Sequence, residues 1–167
     1  DRGKTLGGSS SINGMVFIRG HALDFEGWRQ AGCEGWGYAD VLPYFKRMEC
    51  YAGGGCDYRG NDGPLKVHRP KPDNPIYCAF LQAGKQAGYP ESEDICGYRQ
   101  EGFAVLDSSI HGGERSSSAT AFLAPARDRS NLTVITGALV TAITIEDRVA
   151  CGITFVDKRG TCVAASA

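Results

Sequence analysis

The stretch Gly3-Lys4-Thr5-Leu6-Gly7-Gly8-Ser9-Ser10-Ser11-Ile12-Asn13-Gly14-Met15-Val16 decides how the rest of the chain is read. Its composition is that of a loop built to hold an anion. Gly7 and Gly8 can take backbone angles that residues with a Cβ resist. Without side chains there, a ligand can approach the main chain closely. Ser9, Ser10 and Ser11 add three hydroxyls, each both donor and acceptor. Successive N–H groups in such a turn can form a concave anion site. Asn13 adds an amide donor, and Gly14 leads into an apolar run. A Gly-Gly-Ser-Ser-Ser run is also the composition of a flexible turn or linker, so the loop alone leaves both readings open. No Lys-Ser or Lys-Thr pair follows it, which excludes a Walker loop, and it is not a GxGxxG fingerprint.

Reading on to Trp28 makes the match specific. The string GKTLGGSSSINGMVFIRGHALDFEGW resembles the first signature of the glucose–methanol–choline (GMC) family of FAD-dependent oxidoreductases. The matching positions are Gly3, Lys4, Leu6, Gly7-Gly8, Ser9-Ser10, Ile12, Asn13, Phe17 and Asp24. The stretches GWGYADVLPYFKRME, GNDGPLKV, NPIYCAFLQAGKQAGYP, QEGF, RSSSATAFLAPA and NLTVITGALVTAI follow in the family's order. They look most like its choline dehydrogenase-like and alcohol dehydrogenase-like branch.

The resemblance implies an α/β fold: part of a Rossmann-type FAD-binding domain with part of an α+β substrate domain inserted. Residues 1–64 would carry the FAD-binding loop and lid, 65–130 a partial substrate-binding domain, and 131–167 a β-meander of the FAD-binding domain. Gly7, Gly8, Ser9, Ser10, Asn13, Gly14, Met15 and Val16 would hold the pyrophosphate and flavin, and the backbone of Val140 the adenine edge. The implied reaction is oxidation of an alcohol CH–OH group, with hydride passing to flavin N5. The family's GxGxxG unit, its second signature and its catalytic His have no counterpart in residues 1–167, so no catalytic residue is assigned. Some relatives attach FAD covalently through a His just before the signature Asn. Ile12 stands there, which implies non-covalent FAD. A hydroxynitrile lyase-like protein of the same fold and a truncated, non-catalytic product are the alternatives.

The 167 residues suffice for one modest domain with a real core, at an ordinary 42% apolar and 22% charged. A net charge of -1 gives no reason to expect nucleic acid or an anionic membrane as partner. No apolar run reaches the length of a membrane span. The missing initiator Met and the Ala-Ala-Ser-Ala end suggest a piece of something longer. The seven cysteines are scattered without a CxxC pair, which argues against a zinc ribbon and for reduced thiols in a cytoplasmic protein.

Along the chain, residues 14–18 read as a strand. Asp24–Ala31 reads as a helix capped by Asp24, with Trp28 inward and Gly32 closing it. Asp40–Glu49 reads as a helix capped by Asp40, with Pro43 in its first turn and Val41, Tyr44, Phe45 and Met48 on one face. Residues 52–64 are loop, and 65–68 a short strand. Asn74-Pro75 opens a helix whose buried face would be Ile76, Ala79, Phe80, Ala83 and Ala87, with Gly88 ending it. Glu91, Glu93 and Asp94 read as a solvated acidic loop rather than a metal site. Gly102–Leu106 reads as a strand, and Ser117 as the cap of a helix from Ala119 that Pro125 stops or kinks. Thr133–Thr136, Val140–Ile145, Cys151–Val156 and Thr161–Ala164 read as four strands. His21 reads as structural or surface rather than catalytic.

Overall fold

Short strands and capped helices build the first three quarters of the chain, and a long-stranded hairpin array builds the rest. The computed structural model describes residues 2–166, in two compact units that divide between Arg127 and Asp128. Helices and strands are mixed.

In the first unit, strand β1 (Val16–Phe17) pairs antiparallel with β4 (Asp107–Ser108). Strand β2 (Glu49–Tyr51) runs parallel to β3 (Leu65–Val67). Strands β5 (Ile110–His111) and β6 (Glu114–Arg115) form a hairpin. Its turn is Gly112-Gly113 at φ 58° and 79°, the left-handed pair that a two-residue turn needs. The core gathers Phe17, Val67, Ile95 and Cys96, flanked by Met48, Tyr51, Leu65 and Ala104. The apolar run at 14–18 forms only two residues of strand. Residues 102–106 are not the expected strand: Phe103 makes a single bridge to Glu91, and pairing starts at Asp107.

Helix α1 is Ala22–Gln30, and its cap is His21, not Asp24. The imidazole Nδ1 accepts from Leu23 N (3.2 Å), and the Asp24 carboxylate reaches back to His21 N (2.8 Å). Asp24 therefore fills the third helical position of a capping box. Gly32, at φ 101°, follows its end. Phe25, not Trp28, takes the inward place: Phe25 is buried among Trp28, Tyr38 and Phe45, while Trp28 is half exposed. Helix α2 is Tyr38–Met48, capped at Gly37, whose N–H donates to Asp40 (3.1 Å). Two residues earlier than expected, this start puts Pro43 inside the helix rather than in its first turn.

Helix α3 is Pro75–Gln86, and Asn74 caps it by accepting from Ile76 N (2.9 Å) and Tyr77 N (3.4 Å). Its inward face is not the expected one. Ile76 is 81% and Phe80 60% exposed, and Ala79, Ala83 and Ala87 are exposed too. Gly84 is buried instead, because the Phe103 ring lies where a Cβ would be, 2.5 Å away. Tyr77 Oη fixes the same rotation by donating to Ala104 O (3.1 Å). A π-helical turn, Ala119–Leu123, passes into a last short helix, α4 (Ala124–Ala126), which contains Pro125. Ser117 holds that start through a reciprocal pair: Thr120 N donates to Ser117 Oγ (3.2 Å) and Ser117 N to Thr120 Oγ1 (2.9 Å).

The second unit is an antiparallel meander of three strands, β7 (Leu139–Glu146), β8 (Val149–Val156) and β9 (Cys162–Ser166). The expected strand at 133–136 is absent among the described residues; that segment runs unpaired up to Gly137. Asp147-Arg148 turns β7 into β8 with both residues left-handed, at φ 48° and 67°. The β8–β9 turn is organised by Asp157, whose carboxylate accepts from Arg159 N (2.8 Å) and Thr161 N (2.9 Å).

Candidate functional site

The glycine-serine loop is wound tightly. Gly7 and Gly8 sit at φ 85° and 56°, and Gly8–Ser11 is one 3-10 turn. Its hydroxyls shape the turn: Ser10 Oγ donates to Gly7 O (2.5 Å), Ser11 Oγ donates to Leu6 O (2.7 Å), and Ser9 Oγ accepts from Gly3 N (3.3 Å). Asn13 Oδ1 accepts from Met15 N (3.1 Å), and Met15 itself is left-handed at φ 62°, an uncommon state for a residue with a Cβ. The loop is packed on one side and open on the other. A Cβ on Gly7 would stand 2.4 Å from Ser11 Oγ and 3.1 Å from Ala119 Cβ, whereas one on Gly8 or Gly14 would meet nothing within 4 Å. The main chain at those two glycines is thus open to a ligand's close approach.

A segment about a hundred residues later grips this loop. Ser109 donates through its N–H (2.9 Å) and Oγ (3.2 Å) to Met15 O. Arg115 Nη1 donates to Ser10 O (3.2 Å), Asn13 O (2.8 Å) and Asn13 Oδ1 (2.7 Å). Ser118 N donates to Ser10 Oγ (2.9 Å), and Ser118 Oγ to Gly7 O (3.0 Å). The three serines after Arg115 divide the labour: Ser116 Oγ accepts from Lys66 N, Ser117 caps the turn beyond it, and Ser118 reaches the loop.

Eight of the nine candidate residues, Gly7 to Val16, lie together in this loop and the start of β1. Val140 lies in the second unit, on β7 opposite Phe155 and half exposed. The histidines have local partners: His21 caps α1, His68 Nδ1 lies 2.9 Å from Ile110 O, and His111 pairs with Glu114 across the β5–β6 hairpin.

The reading of single stretches missed a buried ion network. Arg59, fully buried, donates to Glu49 (2.6 Å), Asp94 (2.6 Å) and Asp107 (2.8 Å). Arg19 bonds Glu49 (2.5 Å), and Arg69 bonds Asp107 (2.8 Å) and Asp94 (3.2 Å). Three guanidinium groups thus face three carboxylates. Burial alone would pull the Arg59 pKa down, but its bonds to Glu49 and Asp107 outweigh that and raise it. Tyr51 lies under the Arg59 guanidinium, 3.8 Å from ring centre to Cζ. Asp94 is therefore not part of a solvated loop. Asp94, Cys96 and Asp107 bring ligand atoms within 4.8 Å of one another. Both carboxylates already face Arg59 and Arg69, and that positive charge opposes a metal ion.

The chain as a whole is similar to known proteins. The GMC oxidoreductase family profile matches residues 1–166. An oxygen-dependent choline dehydrogenase of Brucella ovis is 53% identical over 152 residues, covering 91% of this chain and 28% of that protein. One from Rhizobium johnstonii is 54% identical with the same coverage. The crystal structure of pyridoxine 4-oxidase from Mesorbium loti superposes with a TM-score of 0.90 at 33% identity, over 99% of this chain and 33% of that one. The chain thus spans 28% of the length of the curated relatives it matches. Among the described residues, no helix is long and apolar enough to cross a membrane. With the profile running from the glycine-serine loop through the meander, the chain belongs to the GMC oxidoreductase family.

Proposed function

We propose that this chain is the cofactor-loop portion of an FAD-dependent oxidoreductase that acts on the CH–OH group of a small alcohol, of the choline type. The family match over residues 1–166 carries this reading, and the open main chain at Gly8 and Gly14, within a loop whose Gly7 packs against Ala119, agrees with it. That opening fits a ligand that must touch backbone. FAD, held by the residues of this loop, would supply the hydride acceptor for the carbinol carbon.

Gly7, Gly8, Ser9 and Ser10 are the proposed pyrophosphate contacts; Gly8 N and Ser10 N already donate within the turn, to Thr5 O and Gly7 O, which leaves the Gly7 and Ser9 amides to face the anion. Asn13, Gly14, Met15 and Val16 are the proposed flavin contacts. Asn13 N and Met15 N already donate inside the loop, to Ser9 O and Asn13 Oδ1, so the Gly14 and Val16 N–H groups and the Asn13 Nδ2 pair are the donors that would favour negative charge at the pyrimidine end of the ring. Val140 is proposed for the adenine edge. Ile12 cannot form a covalent flavin link, which supports non-covalent binding. Residues 1–64 and 131–167 are assigned to the FAD-binding domain and 65–130 to part of a substrate domain. The hydroxyl proton needs an acceptor that His21, His68 and His111 do not supply, so the proposal places it outside this stretch. Seven free thiols support a reducing, cytoplasmic setting.

The test is to express the full-length reading frame that carries this chain and add choline anaerobically. Flavin absorbance that copurifies and bleaches with choline or another small alcohol is the expected result. Bound flavin that no alcohol reduces would remove the oxidoreductase reading and leave a lyase of the same fold.

A further inference from the structure

Ser109, Arg115 and Ser118 hold the loop from outside, and the last two differ in kind. Ser118 bonds the Gly7–Ser10 end with neutral groups. Arg115 bonds the Asn13 end with a charged one, and charge-assisted bonds are roughly twice as strong. A guanidinium only donates, so the Asn13 atom facing it must be the oxygen. Arg115 thereby fixes which way the carboxamide points, and with it the direction of the Nδ2 donor pair. The same oxygen accepts from Met15 N and so holds Met15 in its left-handed state. One guanidinium nitrogen therefore sets the Asn13 side chain and, together with the Ser109 bonds to Met15 O, the course of the main chain through Gly14 to Val16.

We propose that Arg115 is a positioning residue for the flavin. It acts through Asn13, orienting the Asn13 carboxamide and the main chain of 13–16 toward the ring, rather than by touching the cofactor. This rests on the function proposed above.

The test is a double-mutant cycle in the full-length protein: Arg115→Met, Asn13→Ala and the pair, with Arg115→Lys as the conservative variant. Two quantities are read, the FAD Kd by flavin fluorescence and the midpoint potential of the bound flavin. Each single change is expected to raise the Kd about tenfold, the size of one lost charge-assisted bond. The pair should exceed either single change only by the share of the Arg115 bonds to the Ser10 and Asn13 carbonyls, which Asn13→Ala leaves in place, and so stay well short of about a hundredfold. The potential should shift in Arg115→Met and return partway in Arg115→Lys. If the pair multiplies toward about a hundredfold, Arg115 does not act through Asn13 and the proposal is wrong. A lowered melting temperature with unchanged Kd and potential would likewise overturn it, leaving a plain structural tie. Should Arg115→Met not fold, Arg115→Lys with Asn13→Ala completes the same cycle. A wild-type protein that binds no FAD would instead defeat the proposed function itself, and this inference with it.

Discussion

In the unit that ends at Arg127, strands are two or three residues long, and a fully buried arginine bonds three carboxylates near the centre. In the unit that follows, strands of eight, eight and five residues make an antiparallel ladder. Phe155 is its one buried hydrophobic side chain among the described residues. The first unit thus depends on side-chain charge placed by loops, and the second on backbone pairing. A buried ion pair is costly to desolvate but costlier still to break on one side. A ladder loses little when one exposed side chain changes. The two units should therefore answer differently to the same kind of perturbation.

The largest difference should come from Arg59→Met. It strips Glu49, Asp94 and Asp107 of their shared partner and should cost about 3–5 kcal/mol. Urea unfolding followed by tryptophan fluorescence reports this, since Trp28 and Trp36 both lie in the first unit. A cost below about 1 kcal/mol would mean the network is not what holds that unit.

Next comes Phe155→Ala in the meander, expected to cost about 1.5–3 kcal/mol, the worth of burying one large side chain. Amide hydrogen exchange over 139–166 should quicken while amides of α1 and α2 keep their protection. Equal loss in both regions would break the comparison.

Alkaline pH should separate the units further. Burial pushes the Cys96 thiol above its ordinary value of 9.0, against the opposing pull of Arg59 and Arg19. Burial, then the Asp107 charge, pushes the Tyr51 phenol above 10.0. Above these values the unfolded chain has lost protons that the folded one keeps, so stability falls as pH rises. Each group contributes a slope of up to about 1.4 kcal/mol per pH unit. Cys96→Ala should flatten the decline that begins near pH 9 and leave the later one.

The smallest effect is a gain. Arg148→Gly relieves a left-handed residue in the β7–β8 turn and should stabilise the meander by about 0.5–1 kcal/mol, read as slower exchange of the β7 and β8 amides.

What could be read from the sequence was what neighbours in sequence decide. Asn74-Pro75 announced α3, because cap and first turn are adjacent. The starts of α1 and α2 were misplaced by two residues each because the visible acids, Asp24 and Asp40, occupy the third helical position, and the caps themselves are His21 and Gly37. The side of α3 that turns inward was misread because Phe103 seats on Gly84, a choice made by a residue 19 positions on. No local pattern could show the ion network, whose partners are 10 to 48 residues apart. At the loop, the glycines carried their own reason, visible in Gly7 and Gly8 at positive φ. The grip of Arg115 and Ser118 on that loop carried none, since an RSSS run reads first as a helix cap.

The span between Ser10 and Ser118, 108 residues, also sets a timetable. A ribosome adds roughly 5–20 residues per second, so the glycine-serine loop leaves it roughly 5–20 s before the residues that hold it. During that interval the loop has its own short-range bonds but neither Arg115 nor Ser118. The glycine-serine turn is then completed late in synthesis although it is encoded early. A ribosome pause placed between codons 16 and 115 would lengthen the time for which nascent chains expose an unfinished turn.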